Sequence, residues 1–264
     1  MYVTLPSNSS MDIFPDNKVS HFKVNLPEVL KVDPENWEVA LKEIQFPHLW
    51  YNVRDEKNYF TGWFNSTIGV GRLKKSRVEI KFMKEVKPGY YSSVSELIAE
   101  LNSKLPSREI DKKIGSSLYK MRFDYDQYSN KTSVTIPEEV YLVMEGSGLA
   151  MRLRFKESEI LRGPGIITSK YMCNMDRYSS LYVYTDIIQN QLVGDVRAPL
   201  LRVVPVTSKY GEVTCVTYEQ PHFLPLSRSN IQTIEIYIRS DTGELISFES
   251  GKSVVTLVFR RKFY

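Results

Sequence analysis

Cysteine is nearly missing from this 264-residue chain: Cys173 and Cys215 are the full set, too few for a disulfide framework or a four-thiolate zinc site. Histidine is almost as scarce. His21, His48 and His222 include no pair at the spacing that puts two metal ligands on one helix face. No run approaches the ~20 consecutive apolar residues that cross a bilayer. The opening Met-Tyr-Val-Thr-Leu-Pro-Ser-Asn lacks the basic start and apolar core of a secretory signal. A soluble product of cytosol or nucleus is therefore expected, and the sequons at Asn8, Asn65 and Asn130 are read as chance occurrences. Strong charge of one sign is missing too. The net charge is +4, from 35 basic and 31 acidic residues, whereas nucleic-acid-binding domains gather far more positive charge on one face.

What is present is alternation with a period of two, the mark of half-buried strands. Phe22, Val24 and Leu26 share one face, as do Trp37, Val39 and Leu41, and Val78, Ile80 and Phe82. The phase slips at Lys42-Glu43 before Ile44 and Phe46, which predicts a bulge. Further strands are expected over 181–188, 200–206, 213–218, 231–238 and 253–260, rich in the Val, Ile and Tyr that suit a pleated surface. Lys209-Tyr-Gly211 and Asp241-Thr-Gly243 read as tight turns. Pro205 falls inside a predicted strand and marks it as an edge.

The middle of the chain departs from this rhythm. Ser93-Val-Ser-Glu96 has the form of a capping box and leads into Leu97, Ile98, Leu101 and Leu105 at helical spacing, predicting a helix over 94–104. Short strands follow over 119–125, 132–136 and 140–144, with Ser129-Asn130 at a turn. Leu149–Phe155 reads as strand or short helix. The reading is a mainly β chain: a β-sandwich over 21–87 and 161–264, an N-terminal segment 1–20, and an α+β insertion over 88–160. The rival is a single domain whose helix covers one end of a sheet. With 264 residues the chain has room for either.

The chemistry of an enzyme is not assembled in the sequence. There is no Gly-x-Ser-x-Gly elbow and no phosphate-binding loop, and Gly69-Val-Gly71 and Gly163-Pro-Gly165 read as turns. Each histidine adjoins an aromatic residue or proline and reads as a partly buried imidazole bonded to backbone. Cys215 alternates within Val213–Tyr218 and reads as a small buried hydrophobe. Glu138-Glu139 and the pair Asp124 and Asp126 read as solvated charge. No catalytic residue, metal ligand or cofactor is assigned. The basic runs Arg72–Arg77 and Arg260-Arg-Lys262 read as solvated strand ends, with a weak contact to DNA or an acidic protein surface as the functional alternative.

Aromatic residues are the more telling feature, with 17 Tyr and 12 Phe. Tyrosine suits protein contacts because one end is apolar and the other hydrogen-bonds. Pro47-His-Leu-Trp-Tyr51, Tyr59-Phe-Thr-Gly-Trp-Phe64 and Tyr178–Tyr184 carry much of this surface, and Trp50, Tyr51, Tyr59 and Trp63 are the expected subunit-interface residues.

Several segments, taken in order, resemble a known family. They are Leu5-Pro-Ser-Asn-Ser-Ser-Met11, Phe14-Pro-Asp-Asn17, Trp37 through His48, Trp50-Tyr-Asn-Val53, Gly89-Tyr-Tyr91, Leu181–Asp186, Val193-Gly-Asp195 and Leu200-Leu-Arg-Val-Val-Pro205. Together they resemble the minor capsid, or penton, proteins of Polinton (Maverick) virus-like transposons and their adintovirus and virophage relatives. The resemblance implies a single jelly-roll β-sandwich that forms pentamers at the five-fold vertices of an icosahedral capsid, among double jelly-roll major capsid proteins. It places the protein in the virion, and in host cytoplasm or nucleus before assembly, without a membrane partner. Segment 1–20, with Tyr2, Val3, Leu5, Ile13 and Phe14 as anchors, would then be an arm gripping a neighbour or the major capsid protein. The turns at Gly211 and Gly243 point instead to local hairpins, whereas most consecutive jelly-roll strands cross between sheets. A different class of function is a sandwich module that recognises a glycan or protein receptor through its loops.

Overall fold

The computed structural model describes residues 1–54, 58–70, 74–108, 117–145 and 147–262. They divide into two units, Met1–Trp50 with Tyr178–Tyr264, and Tyr51–Arg177. The chain begins in the first unit with β1 (Tyr2–Pro6), β2 (His21–Lys31) and β3 (Trp37–Pro47). The second unit holds β4 (Tyr59–Val70), β5 (Lys74–Glu85), α1 (Val94–Ser103), β6 (Arg122–Asp126), β7 (Lys131–Ile136) and β8 (Val140–Glu145). It continues with α2 (Ser147–Leu153), β9 (Ile160–Arg162) and β10 (Gly165–Thr168). The first unit resumes with β11 (Ser180–Thr185), β12 (Gln191–Val193), β13 (Val196–Ala198), β14 (Leu200–Pro205) and β15 (Val213–Thr217). It ends with β16 (Leu224–Pro225), β17 (Asn230–Arg239) and β18 (Val254–Arg261).

The first unit is a jelly-roll sandwich. One sheet runs β1-β18-β3-β15, with β16 also on β3; the other runs β14-β11-β17-β2. The chain passes between sheets from β2 to β3, from β14 to β15 and from β17 to β18. Gly211 and Gly243 do sit in left-handed turns, with φ of 92° and 84°. The Gly243 turn closes the short hairpin expected there, with Arg239 bridged to Leu245 and Ile246 N–H donating to Ile238 O, before the chain crosses to β18, whereas the Gly211 turn leads from β14 to β15 in the other sheet. Inward positions alternate as the sequence implies: Phe22, Val39, Leu41, Ile44, Phe46, Val183, Ile234, Ile236, Ile238, Leu257 and Phe259 form the buried layer. Each such side chain contributes about 1.5–3 kcal/mol through removal from water. The expected bulge is present, since the β3–β18 register shifts opposite Lys42. The displaced Lys42 offers its carbonyl to Tyr218 N–H (2.9 Å) and its ammonium to Tyr218 O (2.9 Å). Pro205 ends β14, which is an edge strand as predicted.

Residues 1–20 are not a free arm. β1 pairs with β18 of the same chain and buries Leu5 in the core. The following loop fills the outer edge of β2. Lys18 exchanges backbone bonds with His21, Asn17 bonds both N–H and C=O of Lys23, and Ser10 Oγ accepts from Asn25 N–H. An unpaired row of peptide groups is costly, and this chain satisfies it from within.

The second unit combines a sheet β5-β4-β8-β9, a sheet β10-β7-β6 and the helices. Its boundaries differ from the expected 88–160. β4 lies between β5 and β8 and forms ladders with both, and β10 forms its own with β7. Alternation locates strands but does not name their partners, so 51–87 and 161–177 were placed with the wrong sheets. In α1, Ser93 Oγ accepts from Glu96 N–H (3.2 Å), while the Glu96 carboxylate turns to Ser92, accepting from its N–H at 2.7 Å. Leu97, Ile98 and Leu101 enter a core with Phe60, Phe123, Ile136, Leu142, Leu149 and Leu153. The segment 149–155 resolves as helix for residues up to Leu153. Buried Arg152 donates from Nε to Asn52 O (3.1 Å) and from Nη1 to Asp176 O (2.8 Å), tying together the two ends of this unit.

Candidate functional site

Trp50 is a core residue, only 2% exposed. It stacks on His48 at 4.2 Å and meets Tyr178 and Phe248 edge-on at 5.5 and 5.6 Å. The aromatic cluster at the end of β3 therefore closes one end of the sandwich core, and Trp50 is not available to another subunit. Tyr51, Tyr59 and Trp63 lie in the second unit and are half-buried. Trp63 stacks in parallel on Tyr141 across the β4–β8 ladder, with centroids 5.1 Å apart. Lys81 stands next to Trp63 on β5, and Arg162 stands next to Tyr141 with its guanidinium 6.0 Å from the ring. The row Lys81–Trp63–Tyr141–Arg162 is a cation-flanked aromatic ladder on one sheet face.

Among the described residues the polar groups named above do not come together in a catalytic arrangement. His48 Nδ1 lies 2.8 Å from Ser208 O and 3.3 Å from Ser208 Oγ. A carbonyl only accepts, so Nδ1 carries the proton and cannot take one from Ser208. His21 bonds Glu235 at 2.7 Å and stacks on Tyr237 at 4.4 Å, a carboxylate partner rather than the expected backbone one. His222 is exposed. Burial pushes the Cys173 thiol up, away from the reactive thiolate. Cys215 is exposed, not buried as expected. On β15 the buried position is Thr214, so Val213, Cys215 and Thr217 form the outward set. Asp126 is held low by hydrogen bonds from Ser129 and Tyr128 and caps a turn. Among the described residues no cluster of His, Cys, Asp or Glu could hold a metal ion.

The basic run at 260–262 is engaged within its own unit. Arg260 pairs with Glu38 at 2.7 Å and covers Phe223, Arg261 lies over Trp37, and Lys262 donates to Pro34 O and Glu35 O. The run 72–77 lies outside the residues whose side chains are described.

The remaining candidates are the outer faces of the sandwich. On β14-β11-β17-β2 the outward positions include Tyr182, Tyr184, Tyr237, His21, Lys23 and Glu235. Glu235 is shared by His21 and Lys23 (3.2 Å). Burial and then the bond to Glu235 push Tyr237 up to about 12, so this phenol is a neutral hydrogen-bonding group. The opposite sheet presents Tyr2, Thr4, Val254, Thr256, Val258, Val213, Cys215 and Thr217, with Tyr2 65% and Val213 68% exposed. The first face is lined by tyrosines and paired charges; the second is rich in Thr and Val, with Glu43 of β3 between Thr217 and Thr256 and the Arg260–Glu38 pair at one end, and both carry side chains of the kinds found at protein contacts. Sequence reasoning found tyrosines of β11 but missed Tyr237 and Val213, and it set Tyr2 on an arm rather than on a strand of the sheet. Alternation shows which residues share a face, not which face is left uncovered.

Neither a family model nor a curated protein matches the sequence. Among solved structures, the chain is similar to the penton protein of mavirus at 11% identity, with a TM-score of 0.52 and 99% of each chain covered. A chain of the Sputnik virophage structure is 12% identical, with a TM-score of 0.47, 98% of this chain and 97% of that one covered. At such identity the likeness speaks to the fold. The chain shares its fold with the mavirus penton protein.

Proposed function

We propose that this chain is a minor capsid protein whose copies close into pentamers at the five-fold vertices of an icosahedral shell. Its partners there are further copies of itself and a double jelly-roll major capsid protein, and its place is the virion. The observation that carries this reading is the correspondence of fold with a penton protein over 99% of both chains. The surfaces of the sandwich agree with it. A ring needs two different contact surfaces on each copy, because head-to-tail contacts close only when unlike patches meet. The tyrosine-lined sheet and the β-branched sheet are unlike in this way.

The test is multi-angle light scattering on the purified protein across a concentration series, alone and with the shell protein. The expected mass is about five times 30.6 kDa. A 30.6 kDa species at tens of micromolar that neither self-associates nor enters shells overturns the reading.

A further inference from the structure

The sandwich guards one of its sheet edges and leaves two others open. In the β1-β18-β3-β15 sheet the outermost strands are β1 and β15. Met1 O and Ser7 N–H bond to Phe259 and Ser253 on the β18 side. The residues between them alternate, so Tyr2 and Thr4 direct N–H and C=O away from β18. On the other side Glu212 O accepts from His48 and Tyr218 N–H donates to Lys42. By the same alternation Val213, Cys215 and Thr217 turn their peptide groups outward. Among the described residues no backbone hydrogen bond reaches those N–H groups.

Exposed edges are usually blunted by lysine, proline or a covering loop. The outer edge of β2 is filled by Asn17 and Ser10. The long edge strand β5 carries Lys74, Lys75, Lys81 and Lys84. By contrast, Val-Thr-Cys-Val-Thr (β15) has neither charge nor proline, and Tyr-Val-Thr-Leu-Pro (β1) is uncharged with its one proline, Pro6, as its last residue; each is 5 residues long. Every ladder in their sheet is antiparallel, so β1 and β15 run in opposite directions. Laid side by side in neighbouring molecules, they make an antiparallel pair.

We infer that the open β15 edge receives β1 of a second copy, continuing one sheet from subunit to subunit. This rests on the assembly reading above and names its seam. The occupant is a second copy because this chain itself supplies a strand of matching length, direction and charge at the opposite edge of the same sheet. The contact is head-to-tail, as ring closure requires. Full overlap sets the central residues Thr4 and Cys215 opposite each other, Tyr2 beside Thr217 and Pro6 beside Val213, covering the exposed Tyr2 and Val213. Main-chain bonds across the seam supply affinity, as in other strand additions.

The register supplies the test. Residues opposite each other in a hydrogen-bonded antiparallel pair have Cα atoms about 5.5 Å apart, inside the roughly 4.4–6.8 Å that a disulfide spans. Thr4→Cys, beside the native Cys215, is oxidised mildly and run on non-reducing gels, with light scattering on the reduced sample. The expected result is conversion of most of the chain into covalent multimers, lost when Cys215→Ser is added, with Tm unchanged in both variants. Val213→Lys with Thr217→Lys is expected to abolish the multimers while the fold, followed by circular dichroism, persists. A Thr4→Cys protein that stays a single-chain band overturns the seam. If scattering then still reports a ring, another surface holds the assembly; if it reports single chains that also fail to enter shells when the shell protein is added, the assembly reading falls as well.

Discussion

The side chain of Asn17 pairs with the backbone of Lys23 as a strand would: Nδ2 donates to Lys23 O at 2.9 Å and Oδ1 accepts from Lys23 N–H at 2.8 Å. The carboxamide has the donor and acceptor geometry of a peptide group, so one side chain replaces one ladder position. Asn52 does the same to Tyr91, at 2.9 Å in both directions, and Asn102 to Phe123, at 2.8 and 2.9 Å. Each closes a place where the chain leaves regular structure but its peptide groups stay out of water.

Asn17→Asp keeps the shape and removes the donor, setting a carboxylate oxygen against Lys23 O and stripping the bond that Nδ2 also makes to Ser9 O. A cost of about 1–3 kcal/mol is expected from the unsatisfied groups, read as a lower urea midpoint. Aggregation above the transition should increase too, since the edge of β2 is then loosely covered. A variant as stable as the parent would show that water replaces the amide without penalty.

Trp50 and Trp63 should separate clearly on truncation. Trp50→Ala empties the aromatic end of the sandwich core and is expected to cost about 3–5 kcal/mol. Trp63→Ala removes one rung of a partly exposed ladder. A double-mutant cycle with Tyr141→Ala should return a coupling of roughly 0.5–1.5 kcal/mol. Equal losses from the two single variants would contradict the burial assigned to Trp50.

Glu235 links stability to acidity. Burial pushes its carboxyl up, but hydrogen bonds from His21, Tyr237 and Lys23 together outweigh this and hold it below the usual carboxylate range. A depressed folded-state value means that the stabilisation is present above the unfolded value of about 4.3. It is lost as pH falls through the folded value. Glu235→Gln is therefore expected to lower the urea midpoint at neutral pH and to flatten its decline below pH about 4. Parallel pH profiles for parent and variant would contradict the cluster. At the alkaline end Tyr237, raised to about 12, favours the fold fully below its unfolded value of about 10 and ceases to as pH rises through the folded value.

The strands, the bulge at Lys42, the edge at Pro205 and the helix start at Ser93 were legible because each depends on local chemistry: alternation, one extra residue, a missing N–H, a hydroxyl cap. What stayed hidden depends on partners distant in sequence. β4 alternates like a sandwich strand, yet its neighbour β8 lies some eighty residues on. Cys215 alternates correctly, but only the sheet reveals that its side of β15 faces outward. Trp50 looked like surface because aromatic residues serve cores and contacts alike. Residues 1–20 looked like an arm because pairing between β1 and β18 joins the two ends of the sequence.

Arg152 has a consequence beyond the stability of its own surroundings. One guanidinium holds the carbonyl just after the chain enters the second unit and the carbonyl just before it leaves, at Asn52 and Asp176. Start and finish of that long excursion are thus brought within one side chain's breadth, the condition under which a domain can be spliced into a loop without stretching its host. Residues 51–177 leave and return at one place, and replacing them with a short bridge is expected to preserve the register of the sandwich, read by circular dichroism of the shortened chain.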